Sequence, residues 1–431
     1  MDMQWANRSR EQIASSVEEA VASTLVTDMH THLYAPGFGK IGLWGIDELL
    51  TYHYLEAEFF RYSEVTPEQY WTLSRREQAD AIWRTLFVEN TPLSESCRGV
   101  IAVLSAFGLP TNTPDLNEAR LFFSGRSRED HIRSVFQLAG VRTVVMTNDP
   151  LDPEEGPVWM KGVSADPAFL PVLRLDRLLR EWSNPWEQLQ NQGYKVDNLG
   201  SATSIKEIRR FLSDWHARMQ PVYMAVSLPD TFQFPDDTFC GRILRDAVLP
   251  SCREFDIPLS LMIGVRRQVN PRIRLAGDAV GRADLRALEN ICRDYPDNRF
   301  LVSLLSRENQ HELCVYARKF SNLLPFGCWW FVNNPSIVEE ITRERIEMLG
   351  TSFIPQHSDA RVLEQLIYKW RNTRRALTRI LTDSYRVLSD DGREITRDEI
   401  TRDVQRLFYS NFENWIRRGV DSAKTGERFN G

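Results

Sequence analysis

Two histidines stand two residues apart at the end of an apolar run. The run, residues 25–29, has the composition of a buried β-strand, and His30 and His32 follow it directly. Side chains of a strand alternate between its two faces, so both imidazoles point in the same direction. Two neutral imidazoles at a strand terminus are half of a ligand set for a divalent cation such as Zn²⁺. The spacing therefore predicts half of a metal site.

Seven further short apolar runs follow along the chain, and each is followed by a helical pattern. Strands buried on both faces read as continuous apolar runs, and their alternation with helices indicates parallel βαβ units. Eight such units predict an α/β fold of the (β/α)8 TIM-barrel type, and an open doubly wound sheet is the alternative. The seven runs are residues 143–146, 170–175, 222–228, 258–263, 300–305, 323–328 and 351–354.

The interval between the first two runs is much longer than one crossover helix requires. Its apolar residues recur with helical spacing, as at Ala79, Ile82 and Leu86. We therefore predict a helical insertion over residues 40–138, placed over the barrel mouth. Residues 1–39 and 139–431 then form the barrel with C-terminal helices.

A last helix is predicted after the eighth run. Residues 400–416 carry an apolar stripe, and Thr396 and Glu399 ahead of it have the spacing of a capping box. We expect this helix on the barrel exterior, and the polar final ten or so residues to fray.

Composition excludes several classes of partner. The 431 residues carry a net charge of −6 without basic runs, which argues against nucleic acid. The longest apolar stretch, residues 323–332, is about half a membrane span. The N-terminus has no apolar signal segment, and the six cysteines are far apart. We expect a cytoplasmic enzyme that contacts neither nucleic acid nor membrane.

Catalytic groups of a barrel lie at the carboxyl ends of its strands, so the polar residues that follow each run are candidates. Asp359 follows the eighth run, which neighbours the first when the barrel closes. His30, His32 and Asp359 are therefore predicted to hold a divalent metal, with Zn²⁺ the best match. His357 is weighed as a fourth ligand, and Asp28 is expected to support the site through a backbone hydrogen bond.

The ordered motifs resemble those of a known family. The His-x-His pair with an aspartate after strand eight resembles the amidohydrolase superfamily. More narrowly, the chain resembles the uronate isomerases (glucuronate isomerases) from about residue 20 to 420. The motifs that carry this resemblance are Thr27-Asp-Met-His-Thr-His-Leu33, Tyr52-His-Tyr54, Arg174, Cys328-Trp-Trp-Phe331 and Ser358-Asp-Ala-Arg361.

The resemblance implies isomerisation of D-glucuronate to D-fructuronate, and of D-galacturonate to D-tagaturonate, by proton transfer through an enediol. It also implies roles for residues at matching positions. Asp359, Tyr54, His53 and Arg361 would be catalytic. The residues that would bind the substrate are Arg174, Arg361, His53, Tyr54 and Trp330. The partner would be a hexuronate, and we expect a homo-oligomer.

The chain also departs from the commoner family pattern. The fifth run reads Leu261-Met-Ile-Gly264 where many members carry a histidine, and the fourth lacks a lysine. These differences imply a divergent branch and a more weakly bound metal. A metal-dependent hydrolase or decarboxylase on the same barrel is the alternative function. The preferred uronate, the metal, the base at C2 and the oligomeric state stay open.

Overall fold

A computed structural model of the chain describes residues 2–417, apart from residues 165, 181, 183 and 184. The predicted fraying of the last ten or so residues lies outside the described residues. Parallel strands lie side by side in chain order and curl into an α/β TIM-type barrel, which confirms the predicted fold. Seven of them are regular: β1 (Val26–Thr31), β2 (Val141–Asn148), β3 (Phe169–Arg174), β4 (Met224–Pro229), β5 (Leu259–Arg266), β6 (Phe300–Leu304) and β7 (Leu323–Pro325).

The eighth barrel position differs from the prediction of a strand over residues 351–354. Only Ile354 forms a bridge, a parallel one with Phe326. The chain then closes the barrel on β1 through two backbone bonds: the Asp359 amide donates to the His30 carbonyl (3.2 Å), and the His32 amide donates to the Ala360 carbonyl (2.8 Å). Pro355 has no amide hydrogen, and Asp359 has a φ of +50°, so regular strand pairing ends there.

A short hairpin after β5 was not predicted. Ala279–Val280 pairs antiparallel with the end of β5, which extends this strand to Arg266. Gly264 has a φ of +124°, and its carbonyl accepts a hydrogen bond from the Gly281 amide (2.9 Å). Only glycine takes up this conformation at low cost, and Gly264 is the residue skipped where the pairing of β5 with β4 shifts register, between Ile263 and Val265.

Between β1 and β2 the described chain is largely helical. The division of the chain into a barrel and an insertion remains a prediction. The helices of this interval are Ile46–Leu50, His53–Tyr62, Pro67–Tyr70, Arg75–Trp83, Glu95–Ala106, Asn117–Ser124 and Arg128–Ala139, with a 3-10 turn at Pro36–Ile41 and a π-helical turn at Arg84–Val88.

The remaining helices lie before β1, between the later strands and after the eighth position. The α-helices are Asp2–Ser23, Glu155–Lys161, Asp176–Arg180, Pro185–Asn191, Ala202–Met219, Phe239–Ile243, Leu249–Glu254, Arg286–Asp294, Gln310–Ala317, Pro335–Leu349, Gln365–Asp390 and Arg397–Gln405. Shorter turns are π-helical at Leu244–Val248 and Arg406–Ser410, and 3-10 at Pro271–Gly277, Arg307–Asn309 and Trp330–Val332.

The C-terminal helix begins at the predicted capping box, where the side chains of Thr396 and Glu399 bond each other's backbone amides. The helical residues 411–417, which continue this helix, do not lie on the barrel exterior as expected. Phe412 and Trp415 instead join the apolar cluster inside the barrel, together with Met29 and others. The helix therefore covers the amino-terminal end of the strands, because an open barrel end exposes apolar interior residues to water. Among the described residues, no helix combines the length and apolar character needed to cross a bilayer.

Candidate active site

His30, His32 and Asp359 come together at the carboxyl end of β1. One ligand atom from each residue lies within 4.8 Å of the other two. The Nε2 atoms of His30 and His32 are 3.7 and 3.3 Å from Asp359 Oδ1. The three residues chosen from the sequence thus form a compact group of two imidazole nitrogens and one carboxylate oxygen.

Two hydroxyl groups, one from the residue before β4 and one from β2, orient the two imidazoles. The Tyr223 hydroxyl donates to the Met29 carbonyl (2.6 Å), and its oxygen lies 3.4 Å from His30 Nδ1. The Thr147 hydroxyl donates to the Thr31 carbonyl and lies 3.2 Å from His32 Nδ1. Because each Nδ1 faces a hydroxyl oxygen, each Nε2 is directed toward Asp359. Fixing the distal nitrogen in this way is typical of metal-ligating histidines.

The charge states of this group suit a cation. Burial lowers the pKa of His30 to about 3 and, together with the positive charge of Arg361, lowers that of His32 to about 4. Burial alone raises the pKa of Asp359, but the hydrogen bond and charge of His32 outweigh it, so this pKa lies well below its usual range. Neutral imidazoles beside an ionised carboxylate are the donor set that a divalent cation binds, so the residues fit such an ion.

A buried carboxylate holds the backbone around Asp359. Asp28 accepts hydrogen bonds from the Ser358 amide (3.1 and 3.3 Å to its two oxygens) and from the Trp370 indole (2.8 Å). Burial raises the pKa of Asp28 to about 6, against the lowering effect of these bonds. Asp28 therefore joins β1, the eighth position and the following helix directly behind the candidate ligands, as expected from its place in the sequence.

Three aromatic side chains, those of His53, Tyr54 and Trp330, pack together beside these ligands. His53 begins the helix His53–Tyr62, and its ring is 5.4 Å from Trp330 and 4.6 Å from Tyr54. Trp330 has a φ of +47°, a strained conformation for a bulky residue and one often found at functional sites. Within the described part of the chain, His53 Nε2, the Tyr54 hydroxyl and Trp330 Nε1 are buried without a hydrogen-bond partner.

Both members of the His53–Tyr54 pair are uncharged near neutral pH. Burial lowers the pKa of His53 well below its usual value and raises the pKa of Tyr54 well above its usual value. The negative charge of Asp359 acts on both pKa values. The structure thus brings a neutral imidazole and a protonated phenol close to the candidate metal ligands.

The two predicted arginines differ in their partners. Arg174 forms a two-pronged ion pair with the buried Asp176, at 2.8 and 3.1 Å. Arg361 has no ion pair with any described residue, and its positive charge lowers the pKa values of His32 and His53. Both lie near the ligands, but only Arg361 has a guanidinium free of a carboxylate.

A cavity of about 310 Å³ opens beside Arg174, between the loops that follow β2 and β3. Its charged lining includes Asp149, Asp176, Arg177 and Arg180. Asp176 directly follows the third apolar run and is a candidate for that reason, but its pairing with Arg174 was not predicted, because it depends on local loop conformation. His357 packs against the His30 ring with 5.3 Å between centroids but lies outside the group of ligand atoms.

A TIM-type barrel with two histidines from β1 and an aspartate from the eighth position at its carboxyl end defines a class of enzyme that can hold a divalent metal. Scans against protein family models and curated proteins returned no match. Among solved structures, the chain is similar to a uronate isomerase from Bacillus halodurans, with 52% identity, a TM-score of 0.93, and coverage of 96% of this chain and 99% of that one.

Two more distant structures share the fold. A uronate isomerase from Thermotoga maritima has 15% identity and a TM-score of 0.74, over 95% of this chain and 97% of its own. A glucuronate isomerase from Caulobacter crescentus has 13% identity and a TM-score of 0.73, over 95% and 94%. The identity and coverage of the Bacillus structure decide the assignment. The chain belongs to the uronate isomerase family, a family of enzymes.

Proposed function

We propose that the chain converts D-glucuronate to D-fructuronate and D-galacturonate to D-tagaturonate. The observation that carries this proposal is the 52% identity, over 96% of the chain, to the uronate isomerase from Bacillus halodurans. The grouping of His53, Tyr54 and Arg361 around the His-His-Asp ligands supports it, because these groups match the chemical needs of the reaction.

Aldose–ketose isomerisation moves a carbonyl from C1 to C2. A proton leaves C2 and returns at C1, while the oxygens on the same two carbons exchange a proton. The reaction therefore requires a base beside C2, an acid beside the carbonyl oxygen, and a positive charge to stabilise the enediol oxygens.

In our proposal Asp359 takes the proton from C2 and delivers it to C1. The Tyr54 hydroxyl gives its proton to the oxygen on C1 and takes one back from the oxygen on C2, so both groups end as they began. A carboxylate with a low pKa is a weak base, so the positive charge of Arg361 must increase the acidity of the C2 proton. His53, neutral and buried, hydrogen bonds a substrate hydroxyl and excludes water.

The hexuronate carboxylate requires a guanidinium partner. We propose that Arg361 binds the substrate directly, since no described carboxylate occupies it. Arg174, which stays paired with Asp176, contributes its positive charge and its remaining N–H donor to substrate binding. Trp330 forms one wall of the substrate site. His30, His32 and Asp359 would hold a divalent metal, which we propose to be Zn²⁺ and which would act as a Lewis acid toward the substrate oxygens when bound.

The test is to incubate the purified protein with each uronate and follow formation of the ketose by NMR, with and without added Zn²⁺ after chelation. We expect conversion by the wild type. Asp359→Asn should lower kcat ~100-fold or more while changing KM less, because it removes a base and a ligand. Asp246→Asn, a half-exposed aspartate paired with Arg245, is the control and should keep full activity.

Two results would overturn the proposal. One is a wild-type protein that leaves both uronates unchanged, with and without metal, while cleaving an ester or lactone. The other is full isomerase activity in Asp359→Asn, which would remove the proposed base from the mechanism.

A further inference from the structure

Lys369 is a buried lysine without a hydrogen-bond acceptor. It lies near the start of the helix Gln365–Asp390 and is 2% exposed. Its Nζ is fully buried and has no partner among the residues that the structure describes. Lysine is almost never fully buried unless it is paired, and an unpaired buried amine destabilises a fold. Its place therefore calls for an explanation other than packing.

The amine lies over aromatic rings that adjoin the candidate site. Nζ is 5.7 Å from the ring centroid of Tyr54 and 6.0 Å from that of Tyr368. These distances fall in the range in which a cation is attracted by the face of a ring. Tyr54 in turn contacts His53, so Lys369 is the next layer behind the proposed proton donor.

The charges of carboxylates on three other segments of the chain act on the amine. Glu95 begins the helix Glu95–Ala106, which packs so closely on Tyr368 that a Cβ at Gly99 would lie 2.8 Å from that ring. The negative charges of Glu95, Asp359 and Asp28 favour the protonated amine, whereas burial disfavours it and lowers the pKa of Lys369. The amine also lies over the rings of Tyr54 and Tyr368, and its positive charge acts to lower the pKa values of His53 and His357.

We propose that Lys369 is a positioning residue for proton transfer at Tyr54, and this inference rests on the proposed isomerase function. When the Tyr54 O–H bond breaks, its proton forms a bond to the oxygen on C1, and the phenol carries a negative charge until it recovers a proton from the oxygen on C2. The ammonium of Lys369 stabilises that phenolate through the ring and keeps its own proton throughout. Glu95 supplies the countercharge that holds the amine protonated.

The test compares two cations of one helix, the buried Lys369 and the half-buried Arg374. Lys369→Met removes the charge and keeps the apolar stem. Arg374→Met is the matched control: Arg374 bonds the carbonyls of Val21, Thr24 and Gly140 at the opposite end of the barrel. With D-glucuronate as substrate, we measure kcat, KM, the solvent deuterium isotope effect on kcat, and the thermal midpoint.

We expect Lys369→Met to lower kcat on the order of 10- to 100-fold with little change in KM, as for loss of one charge near a reacting group. The solvent isotope effect should rise, because proton donation by Tyr54 becomes more rate-limiting. Arg374→Met should lower the thermal midpoint and leave the isotope effect unchanged. If Lys369→Met does not fold, Glu95→Gln removes the countercharge and should give the same kinetic signature.

The outcomes separate the two proposals. A wild type that converts no uronate rejects the isomerase function itself. An active wild type with unchanged kcat and isotope effect in Lys369→Met rejects the role of Lys369. A Lys369→Met that loses only stability, or in which kcat falls without a change in isotope effect, shows that the lysine is structural and also overturns the inference.

Discussion

Asp28 should hold the backbone of Asp359, and Asp28→Asn tests this with almost no change in volume. The carboxylate is fully buried and accepts hydrogen bonds from the Ser358 amide and the Trp370 indole. An asparagine side chain has one acceptor oxygen and one NH₂ group. Its oxygen can replace only one of the two carboxylate oxygens, and the NH₂ group in the place of the other then faces a donor, either the Ser358 amide or the Trp370 indole.

The expected loss of stability follows from those bonds. Leaving one buried donor unsatisfied costs ~1–3 kcal/mol, and the bond that remains loses its charge assistance, ~1 kcal/mol. Removing a buried charge offsets part of this, because burial already disfavours the ionised form of Asp28. We therefore expect the free energy of unfolding to fall by ~1–3 kcal/mol.

The loss of activity should exceed what unfolding explains. Asp359 has a φ of +50°, and the neighbouring Ser358 amide is tied to Asp28. Without that bond the strained residue can relax and move its carboxylate away from His30 and His32. A displacement of about 1 Å at a catalytic group costs on the order of 100-fold in rate.

The assay combines urea unfolding with isomerase kinetics at a temperature where every variant is folded. Trp370→Phe removes one donor to the same carboxylate, so the double variant with Asp28→Asn should lose less than the sum of the single variants. Trp83→Phe is the control, because its indole donates to the Thr113 carbonyl (3.1 Å) within the first helices. It should lose stability and keep kcat. Full kcat in Asp28→Asn, or strictly additive losses, would refute the reasoning.

Two further predictions concern buried charges. Arg174→Met should lower kcat/KM for uronates ~100-fold, and should also destabilise the fold by up to ~3 kcal/mol, because the buried Asp176 keeps only its longer contact with Arg180 (3.6 Å). Arg174→Lys should recover much of the stability, and an equal loss in both variants by urea unfolding would contradict this. Glu56 has a pKa raised by burial to about 7, so its native carboxyl stays protonated while the unfolded one ionises, and stability falls as pH rises from about 4.5 to 7. Glu56→Gln should remove up to ~3 kcal/mol of that fall, measured as unfolding free energies at pH 5 and pH 8, and an identical pH dependence in the wild type and the variant would exclude the effect.

The sequence predicted the elements whose signal is local. Each of β1–β7 is an apolar run, and the capping box at Thr396 marks its helix start because both partners lie within one turn. The prediction of an eighth strand was wrong because the pairing at this position is not local. Ile354 forms one bridge, and the barrel closes on β1 through Asp359 and Ala360 in a non-extended conformation. The hairpin at Ala279–Val280 is two residues long, too short for a periodic signal.

The same distinction applies to the site. His30 and His32 can be read from spacing, and Asp359 from the rule that first and last barrel strands are neighbours. Thr147 and Tyr223 cannot be found this way, because each orients an imidazole from another strand and neither has a distinctive sequence context.

Lys369 had a signal that pattern reading passed over. Residues 366–370 read Leu-Ile-Tyr-Lys-Trp, so a lysine stands inside an apolar run too continuous for an amphipathic surface helix. The structure buries all of residues 365–370. In a helix buried on every side, a charged residue must have a partner or a function. Its amine has no hydrogen-bond partner in the described chain and lies over the ring of Tyr54, and the proposed role at Tyr54 accounts for that placement. A lysine within an all-buried segment of the helix that follows the eighth barrel position is therefore a position to mutate even where no motif marks it.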